Sequence, residues 1–316
     1  MKRKGEMAVK MRNGRVLVTG GAGFIGSNLS NYLSEKNEVV AVDSRYLGTP
    51  DNLDGTVEFV EADVLDGDLP TEGVDVVFHL AALSSYAMHE EDSRQGARVN
   101  VEGFVNVVEQ ARRDGCETFV YASTSSVYGS RKEPTAEDMP VVARTGYEAS
   151  KLSRERYAEF FSNRHGVTAA GMRLFSVYGG YASAESHKGR YANVVAQFAD
   201  EIARGRAPVL YGDGGQTRDF VHVSDVVRAF VLAAENRLDG VYNVGTGVGH
   251  SFNDVVDKIT AEIGVDVTPE YVDNPIPAGV YVHDTLADYA KMKEATGWEP
   301  TVGFDEGVRK VCSGYV

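Results

Sequence analysis

The chain has 316 residues, 43% of them hydrophobic, enough to bury a large core, and no apolar run comes near the roughly 18 residues that a membrane-spanning helix needs. Its formal net charge of −14 repels nucleic acid, and its few basic residues gather into no stripe. Cys116 and Cys312 fit neither a disulfide framework nor a metal-ligand spacing, so membrane, nucleic-acid and metal-site classes are set aside and a soluble protein of the reducing cytoplasm is expected.

Residues 1–13 are basic (Lys2, Arg3, Lys4, Lys10, Arg12) but lack the apolar segment of a secretory signal, and read as a frayed, flexible tail. From there to Tyr178, apolar runs of strand length alternate with amphipathic stretches of helix length. That rhythm predicts an α/β fold, a doubly wound parallel sheet of Rossmann type covered on both faces. Strands are expected at 15–19, 39–43, 57–60, 74–80, 119–122 and 168–173, and helices at 24–34, about 95–113 and 147–163. The last two helices are long enough to pair with those of a second copy, so a homodimer is expected. Beyond Tyr178, Gly, Ser and charged residues crowd 179–189, a helix follows, and a turn-rich segment at 212–216 precedes a short strand. Residues 220–223 and the helix at 224–235 restore the α/β rhythm and are expected to return to the large sheet. Helices starting near Phe252, Leu286 and Phe304 complete a smaller lobe.

The first strand runs into its helix through Gly20-Gly21-Ala22-Gly23-Phe24-Ile25-Gly26, with glycines three apart. Gly20 permits the tight turn, Gly23 lets the backbone approach a pyrophosphate, and Gly26 lets the helix pack close to the strand. The free amides at this helix start, Phe24 and Ile25 among them, favour phosphate. Asp43 ends the second strand 23 residues after Gly20, where a carboxylate binds the adenosine ribose hydroxyls and repels a 2′-phosphate. NAD is therefore the expected cofactor, with Arg45 keeping NADP open. Asp63, ending the third strand with Val64, is placed to reach the adenine amino group, the alternative being a helix cap. The expected organisation is a dinucleotide-binding domain of residues 14–178 and 219–241 and a substrate-binding lobe of residues 179–218 and 242–316. Their cleft lies at the carboxyl edge of the sheet.

Tyr147 and Lys151 are four apart at the start of a helix and share one face, with the ammonium able to lower the phenol's pKa and make it a general acid/base. Thr124, just after a strand, can bring its hydroxyl to that phenol. The bland alternatives are a helix surface and a solvated hydroxyl-rich turn.

From Arg15 to its C-terminus the chain resembles the extended short-chain dehydrogenase/reductases, the family of nucleotide-sugar epimerases and dehydratases. The likeness rests on Gly20–Gly26, on His79-Leu80-Ala81-Ala82, on Thr124, and on the Tyr147/Lys151 pair. It implies that Ala81, Ala82, Asn100 and Phe175 lie beside the cofactor, that Arg218 binds a diphosphate, that Tyr211 stacks on a nucleobase, and that Asn193 touches substrate. Tyr242–Gly245 and Gly297–Pro300 are family landmarks of structural character. In the 4,6-dehydratases an acid follows the catalytic threonine. Here Ser125 and Ser126 follow it, which points away from elimination and toward epimerisation of a UDP-sugar at C4, as in UDP-glucose/UDP-galactose 4-epimerases.

Three departures bear on the substrate. Ser84 stands where a lysine is common in UDP-galactose 4-epimerases, Ser176 replaces the asparagine of the usual Arg-x-Phe-Asn motif, and 278–281 lacks their distal Arg and Asp clamp. Lys188, in Glu185-Ser186-His187-Lys188-Gly189, together with Tyr281 instead resembles ADP-heptose 6-epimerases. That reading, a net reductase using NAD(P)H, and a non-catalytic dinucleotide sensor are the alternatives.

Overall fold

A computed structural model of the protein describes residues 11–179 and 185–315. The expected tail lies outside the described residues as far as residue 10. It ends sooner than expected, because Met11 is buried in the core, its carbonyl accepts a hydrogen bond from Asn37 Nδ2, and Asn13 N donates to Lys36 O. The expected loop at 179–189 is likewise outside the described residues at 180–184.

The first half alternates strand and helix: β1 (Arg15–Thr19), α1 (Phe24–Ser34), β2 (Glu38–Asp43), β3 (Glu58–Glu61), β4 (Val76–His79), α2 (Tyr86–Glu91), α3 (Ser93–Ala97), α4 (Gly103–Arg113), β5 (Thr118–Thr124), α5 (Gly146–His165) and β6 (Thr168–Leu174). Then come β7 (Ser176–Tyr178), α6 (Val194–Ala203), β8 (Val209–Tyr211), β9 (Thr217–His222), α7 (Val223–Glu235), β10 (Gly240–Val244), β11 (Gly249–Ser251), α8 (Phe252–Ile263), β12 (Glu270–Val272), α9 (Ala290–Thr296) and α10 (Phe304–Cys312). Seven strands form one parallel sheet in the order β10-β6-β5-β4-β1-β2-β3. The reversal of order between β1 and β4 opens a crevice at the carboxyl ends of the strands, where doubly wound sheets bind ligands.

Strand residues alternate between two cores, as a sheet covered on both faces requires. Val16 and Val18 face one side with Leu29 and Leu33 of α1 and Phe230 of α7, whereas Leu17 faces the other with Phe104 of α4 and Phe161 of α5. A third core gathers Phe198, Ile202, Val255, Ile259 and Val308 of α6, α8 and α10 around Leu210 and Phe220.

Three expectations need correction. Residues 220–223 do not return to the large sheet: β9 pairs with β7 and β11 in a separate three-stranded sheet. The seventh place belongs to β10, which pairs with β6 from Gly240↔Ala170 to Val244↔Leu174, so Tyr242–Val244 lie in the sheet and not in the lobe. The reason is the crossover rule. A parallel neighbour of β6 must be reached over a helix that packs on the sheet: α7, which precedes β10, does so, whereas α6, which precedes β9, packs with α8 and α10 in the third core. The helix expected near Leu286 starts instead at Ala290, because 284–287 is extended: Thr135 donates to the Leu286 carbonyl, and Thr135 and Thr217 bridge to Ala287 and Asp284. The helix expected at 95–113 is broken by a wide turn over Arg98–Glu102, in which hydrogen bonds reach five residues along the chain.

Candidate active site

A cavity of about 540 Å³ opens at the sheet's carboxyl edge, a volume suited to a cofactor or drug-sized ligand. One end is the turn between β1 and α1. Gly20 has φ +67°, and a Cβ there would meet the Ala81 amide at 2.6 Å; one at Gly26 would overlap the Gly20 carbonyl. A Cβ at Gly23 would meet the Gly20 carbonyl alone, at 3.3 Å, so its cavity side is bare backbone. No side chain caps α1, and Phe24, Ile25 and Gly26 of its first turn line the cavity, leaving amides and a helix dipole for a diphosphate. Asp43 lies on the same wall, 9% exposed, accepting from Ala22 N at 3.1 Å and Arg45 N at 2.8 Å. Burial raises its pKa, and these amides, with that of Gly23, pull it back. Arg45 does not line the cavity; it pairs with Glu61 at 3.2 Å. Asp63 and Val64 are on the wall, and Asp63 accepts from Leu65 N at 3.0 Å in a turn that opens no helix, so the helix-cap alternative does not hold. The residues present fit a dinucleotide with free ribose hydroxyls.

The middle of the cavity is formed where β5 meets the start of α5. Thr145 caps that helix by accepting from Glu148 N, which sets Tyr147 in its first turn facing the Thr124 turn. The Thr124 hydroxyl hydrogen-bonds the Tyr147 phenol and also reaches Ser126 Oγ at 3.1 Å. Lys151, 2% exposed, donates to Ala122 O at 3.1 Å and lies 5.8 Å from the centre of the Tyr147 ring. Burial raises the phenol's pKa, the Thr124 hydrogen bond and the charge of Arg154 pull it down, and Lys151 is itself pushed below its usual range, first by burial and then by Arg154.

Arg218 projects from β9 into the far end. It donates to the Thr217 and His283 carbonyls at 2.8 Å, lies over the Phe252 and Tyr281 rings, and pairs with no carboxylate among the described residues. Tyr281, Ser84 and Ser176 also line the cavity. So does Lys188, which is no solvated loop side chain: it pairs with buried Glu185 at 3.0 Å and sits 5.4 Å over Phe24. Ala81, Ala82 and Phe175 also line the cavity, whereas three expected contacts stand off its wall. Asn193 caps α6, accepting from Val195 N. Tyr211 stands edge-on behind Tyr281, ring centres 6.5 Å apart. Asn100 is fully buried behind the wall, where it grips the Leu83 backbone by both its amide oxygen and nitrogen and reaches Ser150 Oγ at 2.9 Å.

Sequence reasoning passed over two residues. Glu148 lines the cavity beside Tyr147, but Arg144 occupies both of its oxygens and also donates to the Ser126 carbonyl. Arg154 is fully buried under Lys151. The signal for it was present: Lys151, Arg154 and Ala158 form an i, i+3, i+7 stripe, and a cation on a stripe that must face inward calls for explanation.

The model of the NAD dependent epimerase/dehydratase family matches residues 16–245. The UDP-glucose 4-epimerase of Mycolicibacterium smegmatis is 37% identical over 94% of this chain and 96% of its own. Among solved structures, a UDP-glucose 4-epimerase of Thermotoga maritima with UDP-glucose superposes with a TM-score of 0.88 at 33% identity, covering 95% of this chain and 98% of that one. The Thermus thermophilus UDP-glucose 4-epimerase in complex with NAD superposes at 0.83 and 34% identity, with the same coverage.

Proposed function

The chain belongs to the NAD dependent epimerase/dehydratase family, and from that premise we propose that it epimerises a UDP-sugar at C4, converting UDP-glucose and UDP-galactose into one another with NAD retained through the cycle. The observation that carries this reading is the Tyr147 phenol, hydrogen-bonded by Thr124 in the same cavity as the glycine turn. When bound, NAD would supply a reversible hydride acceptor for the sugar carbinol. Gly20, Gly23 and Gly26 would hold its diphosphate and Asp43 its adenosine ribose, and the pairing of Arg45 with Glu61 supports NAD over its phosphorylated form.

Tyr147 accepts the carbinol proton and Thr124 orients the shared oxygen. Arg218, with no carboxylate partner among the described residues, meets the diphosphate of the sugar nucleotide. Elimination finds no support: serines stand at 125 and 126, and the nearby Glu148 is tied up by Arg144. We also read the chain as a cytoplasmic homodimer built on α4 and α5. Tyr157 and Phe160, 42% and 49% exposed on α5, support that interface. No helix among the described residues is long and apolar enough to cross a membrane.

A second reading, epimerisation of an ADP-heptose at C6, is favoured by Lys188 on the cavity wall. The test is to denature the purified protein, assay for released NAD, and then supply UDP-glucose or UDP-galactose to native protein with no added cofactor. Conversion is expected. Stoichiometric consumption of NADPH would mark a reductase, and turnover of ADP-heptose alone would move the reading to the second substrate.

A further inference from the structure

Arg154 is a buried cation whose position on the catalytic helix the reaction itself does not require. Its side chain is 0% exposed, its Nε donates to Asn100 O at 2.6 Å and its Nη2 to Ala81 O at 2.8 Å, while Nη1 is buried with no hydrogen-bond partner. The guanidinium carbon lies 5.9 Å from the Phe104 ring centre. No carboxylate among the described residues pairs with it; the adjacent Glu155 is taken by Arg173 at 2.7 Å. A guanidinium desolvated this far without a counter-charge is costly, and a site that keeps one uses the charge or the geometry it enforces.

The geometry is specific. Asn100 sits in the wide turn between α3 and α4, where the shift from four-residue to five-residue spacing disturbs the helical ladder and allows a carbonyl to turn aside. That carbonyl accepts from Arg154. Ala81 O, the other acceptor, belongs to the segment after β4 that meets the glycine turn, since a Cβ on Gly20 would touch the Ala81 amide.

We propose that Arg154 is a positioning residue: its guanidinium fastens α5 to the Asn100 turn and to the end of β4, and fixes a positive charge behind the Tyr147–Lys151 pair. The proposal rests on the reading of Tyr147 as the proton acceptor. Charged and titratable groups facing this point are Tyr147, Lys151, Glu148 and Glu155 from α5, His79 from β4, Tyr121 from β5 and His89 from α2. His79 and His89 are depressed first by burial and remain neutral near pH 7, and Tyr121 is raised by burial. Arg154 itself is brought down by burial to about 9, still charged at neutral pH. Lys151 is held down first by burial and then by Arg154. Removing Arg154 therefore takes away one of the two cations placed beside Tyr147.

The comparison is Arg154→Met, of similar length without charge, against Arg154→Lys. The acid limb of the kcat–pH profile is expected to move up by on the order of one pH unit in Arg154→Met and to return most of the way in Arg154→Lys. A readout independent of turnover is the tyrosinate absorbance of Tyr147, taken as the difference between each protein and its Tyr147→Phe counterpart across pH, with the same shift expected. If Arg154→Met does not fold, Arg154→Gln carries the same comparison. An unmoved or downward-moved Tyr147 titration would overturn the proposal, even where kcat falls. Absence of turnover on every nucleotide-sugar would count against the functional reading and leave the absorbance test intact.

Discussion

At the scale of single residues, the proposed chemistry rests on the Tyr147 phenol, whose pKa burial raises. A raised pKa means that the reactive base form gains population as pH rises and is lost as pH falls, so turnover should decline on the acid side and recover with alkalinity. Tyr147→Phe should keep the fold and bound NAD but lower kcat by about 10³-fold, because nothing else in reach of Thr124 accepts the proton; near-normal turnover in a coupled epimerisation assay would remove Tyr147 from the mechanism. Arg218→Ala should act differently. It removes a charged donor that ground state and transition state use alike, so KM for the UDP-sugar should rise roughly 10-fold or more with little change in kcat, and steady-state kinetics separates the two. Tyr147, Thr124, Lys151 and the glycines were legible because their spacing has one economical explanation. Arg154 and Glu148 were not, since an ion in a helix reads as surface unless the inward stripe is already known.

At the scale of elements, the catalytic helix is unusual in burying Glu148, Lys151, Arg154 and Glu155 along its inner side, where α1 and α7 bury aliphatic and aromatic chains. Its boundaries were readable from sequence to within a residue or two, but a period of 3.6 in apolar residues does not describe a face made of charges. The break at Arg98–Glu102 was hard to read for a related reason: no proline marks it, the flanking Gly96 and Gly103 answer equally to close packing against His89 and Val64, and tertiary hydrogen bonds stabilise it. Asn100 is the centre of that arrangement. Asn100→Leu keeps the volume but leaves the buried Leu83 amide without its partner and takes one hydrogen bond each from the Leu83 carbonyl, which keeps His89, and from Ser150, which keeps the Tyr147 carbonyl, at a cost of about 1–3 kcal/mol. The midpoint of urea unfolding should fall accordingly, and turnover with it, as α5 loses its register against β4. A wild-type midpoint would show that the turn holds without its asparagine.

At the scale of the whole molecule, the parallel sheet was legible because five of its first six strands, all but β3, precede or follow a helix, while the strand pairing beyond β6 was not. The run at 220–223 precedes an amphipathic helix just as earlier strands do, so a local pattern could not tell that β9 pairs with β7 and β11 and leaves the sheet's edge to β10. What ties that three-stranded sheet to the C-terminal segment is Asp219, next to the cavity-lining Arg218 and fully buried. One of its oxygens accepts from Thr246 N and Thr246 Oγ1, both at 2.7 Å; the other accepts from Gly247 N at 2.8 Å and Ala287 N at 3.0 Å. Asp219→Asn must turn an amide NH₂ toward one of these pairs, setting donor against donor in a place water does not reach. The expected cost is about 3 kcal/mol, enough to lower the melting temperature by several degrees. Because the same carboxylate fixes the strand that carries Arg218, KM for the UDP-sugar should rise in parallel, measured well below the melting transition. A variant that melts early yet binds substrate normally would show that the lobe's stability and its grip on the diphosphate are separate properties of this fold.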